Sequence, residues 1–244
     1  MAALITLLTD LGTADGYVGE MKAELLTRAP RATIIDIAHD LPAHDIDAGR
    51  VTIERYWRRF PKGTVHLAVV DPGVGSSRAA LAVASDGRFL VGPDNGLLSA
   101  ALLQKGARAV ALAIPPTAAP TFHGRDVFAP AAARLACGAK LEALGESCDP
   151  LVIVAPEPRK DQGGVVGEVI AIDRFGNAIT NLALRPSAIE VVGRVLPVVR
   201  TYADITTGTA GAVMGSGGTI EIVVREGRAA SELGLRKGTP VRAT

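Results

Sequence analysis

The sequence predicts an α/β protein in two parts: an N-terminal domain on a mostly parallel sheet and a smaller, β-barrel-like C-terminal domain. Three observations carry this. Short β-branched runs alternate with Ala-rich amphipathic stretches through the first 150 residues, the succession that builds a parallel sheet covered by helices on both faces. After Asp149 comes a polar, breaker-rich stretch with Pro150, Pro156 and Pro158, then Lys160-Asp161-Gln162-Gly163-Gly164. Beyond it lie strand-like runs separated by Gly-rich turns, the pattern of a small barrel or sandwich. Domain limits of 1–152 and 163–244 follow.

Leu4 to Thr9 is an apolar, strand-like start, and Gly16 to Arg28 reads as a helix stopped by Pro30. Thr33 to Ile37 is a second strand. Asp45 to Arg59 reads as a helix, with aspartates at its entry suited to capping and Pro61 beyond its end. Thr64 to Val70 is apolar almost throughout, as expected of a strand buried on both faces. Short strands are expected at Ala80 to Ala84 and Phe89 to Val91, and helices at Gly96 to Gln104 and Val127 to Ala136. In the second part, Val165 to Ile172, Val191 to Thr201 and Thr219 to Val224 read as strands.

Composition removes whole classes of function. Lys and Arg total 26 against 25 Asp and Glu, and aromatics are only 4%. Nucleic-acid binders need clustered cations, and stacking rings when they read single strands, so no nucleic-acid partner is expected. The longest apolar runs fall far short of the ~20 residues of a membrane span. Met1 leads straight into a strand-like segment, without a signal peptide's basic start and apolar core. Cys137 and Cys148 make neither a disulfide framework nor a zinc pair. The expectation is a cytoplasmic protein with two reduced thiols and no membrane association.

In a parallel α/β sheet, ligands settle outside the carboxyl ends of the strands. Those ends carry Thr9-Asp10-Leu11-Gly12 with Asp15 and Tyr17 close behind, then Asp71 to Arg78, Pro93-Asp94-Asn95-Gly96 and Phe122-His123-Gly124-Arg125-Asp126. Asp173-Arg174-Phe175-Gly176-Asn177 ends the first long strand of the second part. Each alone is an ordinary cap or turn, but together they form Gly-flanked clusters where backbone can approach a ligand closely. Gly73-Val74-Gly75 lacks the third glycine of a dinucleotide fingerprint, and there is no phosphate loop, G-x-S-x-G elbow or H-E-x-x-H. Asp36, His39, Asp40, His44, Asp45 and Asp47 resemble a metal cluster in composition, but Pro42 interrupts them. They are read as loop and capping residues, and no metal is expected.

The run Phe60-Pro61-Lys62-Gly63-Thr64-Val65-His66 leads into Val69-Val70-Asp71-Pro72-Gly73-Val74-Gly75. With Pro93-Asp94-Asn95-Gly96-Leu97-Leu98, the Phe122 to Asp126 run and Asp173 to Asn177, the whole chain strongly resembles the S-adenosyl-L-methionine (SAM) hydrolases. These are also called SAM hydroxide adenosyltransferases, and are homologues of the fluorinase and chlorinase. The resemblance implies an α/β domain followed by a β domain, assembled as a homotrimer with sites between subunits. It implies displacement at the ribose 5′-carbon of SAM, with methionine leaving and water or hydroxide attacking to give adenosine. SAM is then the substrate, and no cofactor is called for.

The hydrolases carry an Asp–Arg–His triad that holds the water, matched here by Asp71, Arg78 and His123. Known halogenases have Tyr where Asp71 stands and no histidine in place of His123; the fluorinase also has a long insertion after the Asp71 region. The hydrolase branch is therefore favoured. A SAM-dependent halogenase, or a SAM- or nucleoside-binding regulatory protein without turnover, is the alternative. A sulfonium is already a good leaving group, so placing the nucleophile in line is what matters, and orientation can contribute ~7–11 kcal/mol. Arg78 would fix the Asp71 carboxylate through paired hydrogen bonds. Either His123 or Asp71 could take the water's proton.

The resemblance also implies binding roles. Asp10 matches the carboxylate that grips the ribose diol, and Asp173 the one that meets the methionine ammonium. Asn177 matches an adenine reader, and Ala229 meets adenine by its backbone. Phe122 belongs to a site motif, and Phe175 packs beside the ligand. Asp94 and Asn95 lie near the pocket or form a turn. Ser216 matches a methionine-carboxylate ligand, but Gly217 stands where the fluorinase has Arg, and His44 where it has an aromatic residue. Asp10, Asp71 and Asp173 would give a nearly neutral chain an acidic pocket for a cationic ligand.

Overall fold

β1 (Leu4–Thr9) lies between β2 (Thr33–Ala38) and β3 (Val65–Val69), parallel to both. The fold is that of a computed structural model that describes residues 3–244; Met1, and the reading of the chain's start that rests on it, lie outside the described residues. The sheet continues through β4 (Ala80–Ser85), β5 (Arg88–Pro93), β6 (Arg108–Leu112) and β7 (Gly145–Ser147), in the order β2-β1-β3-β5-β4-β6-β7. β3 and β5 are parallel, whereas β4 runs against both β5 and β6, and β7 against β6. The sheet is therefore mixed. Its antiparallel half begins at Asp86 and Gly87, whose φ of 46° and 73° make the two-residue turn between paired Ser85 and Arg88. Positive φ at both turn positions matches the twist of the flanking strands and folds β4 back on β5.

Alternate side chains of the central strands enter two cores, as the period of 2 requires. Ile5, Leu7, Val65, Leu67 and Val69 join Met21 and Leu25 of α1 (Tyr17–Arg28) on one face, with Phe128. Leu8, Ala68 and Val70 join Ile53 of α2 (Ile46–Tyr56) and Trp57 on the other. All five residues of β3 are buried, which explains its unbroken apolar run. Asp45 caps α2, accepting from Ala48 N at 3.0 Å. The helix expected over 96–104 is only α3 (Ser99–Leu102). Ser99 bonds Gly96 O through both its N–H and its hydroxyl, a tight turn that starts the helix late. After a π-turn at Gly124–Phe128, α4 (Ala129–Ala136) packs with α1.

One compact unit ends at Val154 and a second spans Ala155–Thr244. The second contains β8 (Arg159–Asp161), β9 (Gly164–Ile172), β10 (Ala178–Thr180), β11 (Ala188–Val191), β12 (Arg194–Val199), β13 (Ala210–Met214), β14 (Ile220–Val224), α5 (Ala229–Glu232) and β15 (Pro240–Ala243). β10-β14-β13-β12-β11-β15-β9 closes through the β9–β10 pairing, giving a seven-stranded barrel with β8 on its flank. Ile189, Leu196, Ile220, Ile222 and Val241 fill its core. Of the strand expected over 191–201, Arg194–Val199 is β12, while Val192 and Gly193, φ 45° and 72°, make the turn that joins it to β11 in a hairpin. Part of the breaker-rich stretch is strand as well, because Arg159 and Lys160 pair with Val166 and Val165. Among the described residues no helix is long and apolar enough to cross a membrane.

Candidate active site

Thr9 of β1 sits opposite Val69 of β3, so the two strands end side by side and deliver Asp10 and Asp71 to one edge of the sheet. Both carboxylates line a cavity of about 220 Å³ with Leu11, Ala43, His44, Val69, Val74 and the Thr121–Gly124 turn. Two apolar runs ending in register thus bring together aspartates 61 positions apart in the chain.

Asp71, Arg78 and His123 are in direct contact. Arg78 Nε donates to Asp71 Oδ1 at 2.9 Å and Nη2 donates to Oδ2, a bidentate pair. The same Nη2 donates to His123 Nδ1 at 2.9 Å. Nη1 reaches Ala79 O at 3.3 Å, and the guanidinium lies 5.2 Å from the centre of the Phe128 ring. The Arg78 and Asp71 side chains are 9% and 5% exposed and His123 3%, so little water competes for these bonds. Gly75 lets the Asp71–Arg78 loop close on the 120s: its φ is 77°, and a Cβ there would lie 2.7 Å from Pro120 O.

Burial and then the Arg78 cation push the His123 pKa below its usual 6.5, opposed by the Asp71 and Asp126 carboxylates. The ring is neutral at pH 7. A guanidinium can only donate, so Nδ1 accepts and the proton sits on Nε2. Phe122 makes an edge contact with Tyr17 at 5.4 Å and lies 5.0 Å beneath Arg125, which pairs with Asp126 and Glu20. Asp126 also accepts from Ala119 N at 2.8 Å, fixing the turn that carries His123.

Asp94 and Asn95 do not line this cavity. Asp94 Oδ1 accepts from Leu151 N at 2.8 Å. Asn95 donates to Val70 O at 2.9 Å and accepts from Leu97 N at 3.2 Å, tying the end of β5 to the end of β3 next to Asp71. They have the geometry of turn residues.

In the barrel unit Asp173 and Asn177 close one loop. Asp173 accepts from Asn177 N at 2.8 Å and Nδ2 at 3.0 Å, while Gly176 O accepts from Ala230 N at 2.8 Å, bringing the start of α5 and buried Ala229 to the same place. Phe175, at the tip, is 72% exposed. Ser216 lies in the exposed turn between β13 and β14. Tyr202 donates to buried Glu221 at 3.2 Å, and burial followed by that carboxylate pushes its phenol up to about 12. Neither Tyr202 nor Glu221 stood out in the sequence; a lone acidic residue in an apolar strand run was the available signal.

The acidic and histidine-rich stretch from Asp36, within β2, to Asp47 has other partners. Asp36 pairs with Lys22 and His39, Asp45 caps α2, and Asp47 pairs with Arg50. Of the cavity lining, the sequence reading singled out no role for Thr121 or Ala43, though Thr121 adjoins the Phe122–His123 pair.

Two family models match in order. The SAM hydroxide adenosyltransferase N-terminal domain covers residues 5–145 and the corresponding C-terminal domain residues 167–242. The chain is 44% identical to the (R)-S-adenosyl-L-methionine hydrolase of Thermus thermophilus, over 96% of this chain and 97% of that protein. It is 30% identical to a fluorinase of an Actinoplanes species, over 82% and 83% of the two chains. A conserved protein of Thermotoga maritima, described as uncharacterized, superposes with a TM-score of 0.89 at 31% identity, covering 98% of this chain and all 100% of that one.

Proposed function

The chain belongs to the SAM hydroxide adenosyltransferase family, and we propose that it is a hydrolase that cleaves SAM with water at the ribose 5′-carbon, giving adenosine and L-methionine. The observation that carries this is the buried contact of Arg78 with both Asp71 and His123 at a cavity shared with Asp10. The water oxygen forms the new bond to the 5′-carbon, the carbon–sulfur bond breaks with its electrons left on methionine sulfur, and one proton is released.

Each triad member has one part in that step. Arg78 clamps Asp71 and keeps His123 neutral with Nδ1 engaged. Asp71 is the proton acceptor, because a carboxylate held by one guanidinium retains free lone pairs whereas the only acceptor nitrogen of His123 is taken. His123 holds the water oxygen with Nε2–H. Asp10 grips the ribose hydroxyls and Phe122 packs against the ligand, while Asp94 and Asn95 hold the strand ends that present Asp71. In the barrel unit Asp173 meets the ammonium, Asn177 and the Ala229 backbone read adenine, Phe175 packs beside it, and Ser216 takes the methionine carboxylate without help from Gly217. The sulfonium leaves unaided, so no cofactor or metal enters the scheme.

The same reading makes the chain a cytoplasmic homotrimer with sites at subunit interfaces. The subunit interface is supported by Phe175, a large apolar side chain 72% exposed within a site motif; light scattering on the purified protein tests the trimer. The relative in Thermus is named for the (R) form of SAM, so both sulfonium epimers belong in the assay. Purified protein is incubated with SAM and the products chromatographed. No adenosine above a heat-killed control, from folded protein, refutes the hydrolase. A 5′-halo-5′-deoxyadenosine that depends on added chloride or fluoride would make it a halogenase.

A further inference from the structure

The turn that presents Asp10 is held from behind by side chains that the reaction scheme does not use. Lys22 Nζ donates to Asp36 Oδ2 at 2.6 Å, and His39 Nε2 donates to Asp36 Oδ1 at 3.0 Å. On the other side of the ring, Thr9 Oγ1 and His39 Nδ1 are 2.9 Å apart, and Thr9 Oγ1 accepts from Leu11 N at 3.3 Å. Asp36 can only accept, so His39 Nε2 carries a proton; in the neutral ring Nδ1 then accepts from the Thr9 hydroxyl. In that form every hydrogen bond runs one way along the chain from Leu11 N to Asp36. Thr9 is 0% and His39 6% exposed.

The strand register brings these groups together. β1 and β2 pair Leu7 with Asp36 but Leu8 with Ala38, and the irregularity carries His39 up to Thr9. The two loops that follow are then laced together. Gly12 N donates to His39 O at 2.8 Å, and His44 N donates to Asp10 Oδ2 at 2.8 Å. His44 holds a φ of 66°, a left-handed conformation uncommon outside glycine, and its N–H meets the Asp10 carboxylate.

We propose that His39 is a positioning residue for Asp10: acting through Thr9, it fixes the carboxylate in the orientation that takes the ribose 2′- and 3′-hydroxyls. It serves recognition of the sugar and has no part in breaking the carbon–sulfur bond. The inference rests on reading Asp10 as the ribose ligand.

Calorimetric titration of the full chain with adenosine and with 2′,3′-dideoxyadenosine tests it, using wild type, Asp10→Ala, Thr9→Val, His39→Leu and His39→Asn. Loss of a buried hydrogen-bond partner should weaken adenosine binding about tenfold in Thr9→Val and His39→Leu and leave the dideoxynucleoside unchanged. His39→Asn, whose amide oxygen can stand near the Nδ1 position, should recover part of the loss. Equal weakening toward both nucleosides would reveal a merely structural role and overturn the proposal, as would no weakening at all. Thr9→Val is nearly isosteric and carries the test should His39→Leu not fold. If Asp10→Ala itself leaves the preference for adenosine intact, the Asp10 reading has failed and the inference falls with it. If Asp10→Ala removes the preference while Thr9→Val and His39→Leu keep it, the role of His39 alone has failed.

Discussion

Nη2 of Arg78 donates to Nδ1 of His123 across 2.9 Å while the same guanidinium holds Asp71 through two nitrogens. One cation therefore sets the direction of a carboxylate and the tautomer of an imidazole at once. Lysine keeps the charge but not the planar fork. Arg78→Lys should lower kcat for adenosine release about 100-fold, the scale expected when catalytic groups drift by about an ångström, with much less change in KM. Initial rates over a range of SAM concentrations check this. A kcat within about threefold of wild type would remove Arg78 from the mechanism.

The neutral His123 also sets a pH dependence. Burial and the Arg78 cation hold its pKa below 6.5, so the working form predominates at pH 7 and above. Acidification puts a proton on Nδ1, where it faces the Arg78 N–H and loses its place as acceptor. The kcat/KM profile should be level through neutral pH on this group's account and fall on an acid limb whose midpoint lies below 6.5. An acid limb centred above 6.5 would refute the lowered His123 pKa, and activity that rises on acidification would mean that His123 works as the imidazolium.

Much of this site was legible because its parts occupy strand ends. Asp10 and Asp71 each follow an apolar β-branched run, and the Thr9–Val69 register does the rest. The hairpins were less legible, although Asp86-Gly87 is a readable turn signal. Val192-Gly193 is not: a β-branched residue at φ 45° is what local propensity argues against, and barrel closure overrides it. The roles of Asp94 and Asn95 also needed coordinates. Only their bonds to Leu151 N and Val70 O show them acting on backbone.

His66 should make the fold acid-sensitive independently of the site. It is fully buried beside Tyr56, Trp57 and Phe60, with Nδ1 2.8 Å from Thr6 Oγ1. Burial, then the Arg88 cation, lowers its pKa from 6.5 to about 3. The unfolded chain takes up a proton below 6.5 that the folded chain refuses until about 3, so stability is lost as pH falls through that window. Two pH units below 6.5 the loss is about 2.7 kcal/mol from this residue, and His123 adds in the same direction. Denaturant titrations at pH 7.5 and 4.5 measure it. His66→Leu should reduce the difference between the two pH values; an undiminished difference would place the sensitivity elsewhere.

Gly75 ties stability to catalysis. Its φ of 77° is costly for any side chain, and a Cβ would stand 2.7 Å from the carbonyl oxygen of Pro120. Gly75→Ala should therefore destabilise the protein by about 1–3 kcal/mol, read as a lowered denaturation midpoint. The clash lies between the loop that carries Asp71 and Arg78 and the turn that carries His123, so relief by separation lengthens the bond between Nη2 and Nδ1. Activity at a temperature where the variant remains folded should fall with it, chiefly in kcat. If stability drops and kcat does not, the 71–78 loop relaxes without moving Arg78 from His123, and the close approach at Pro120 serves folding alone.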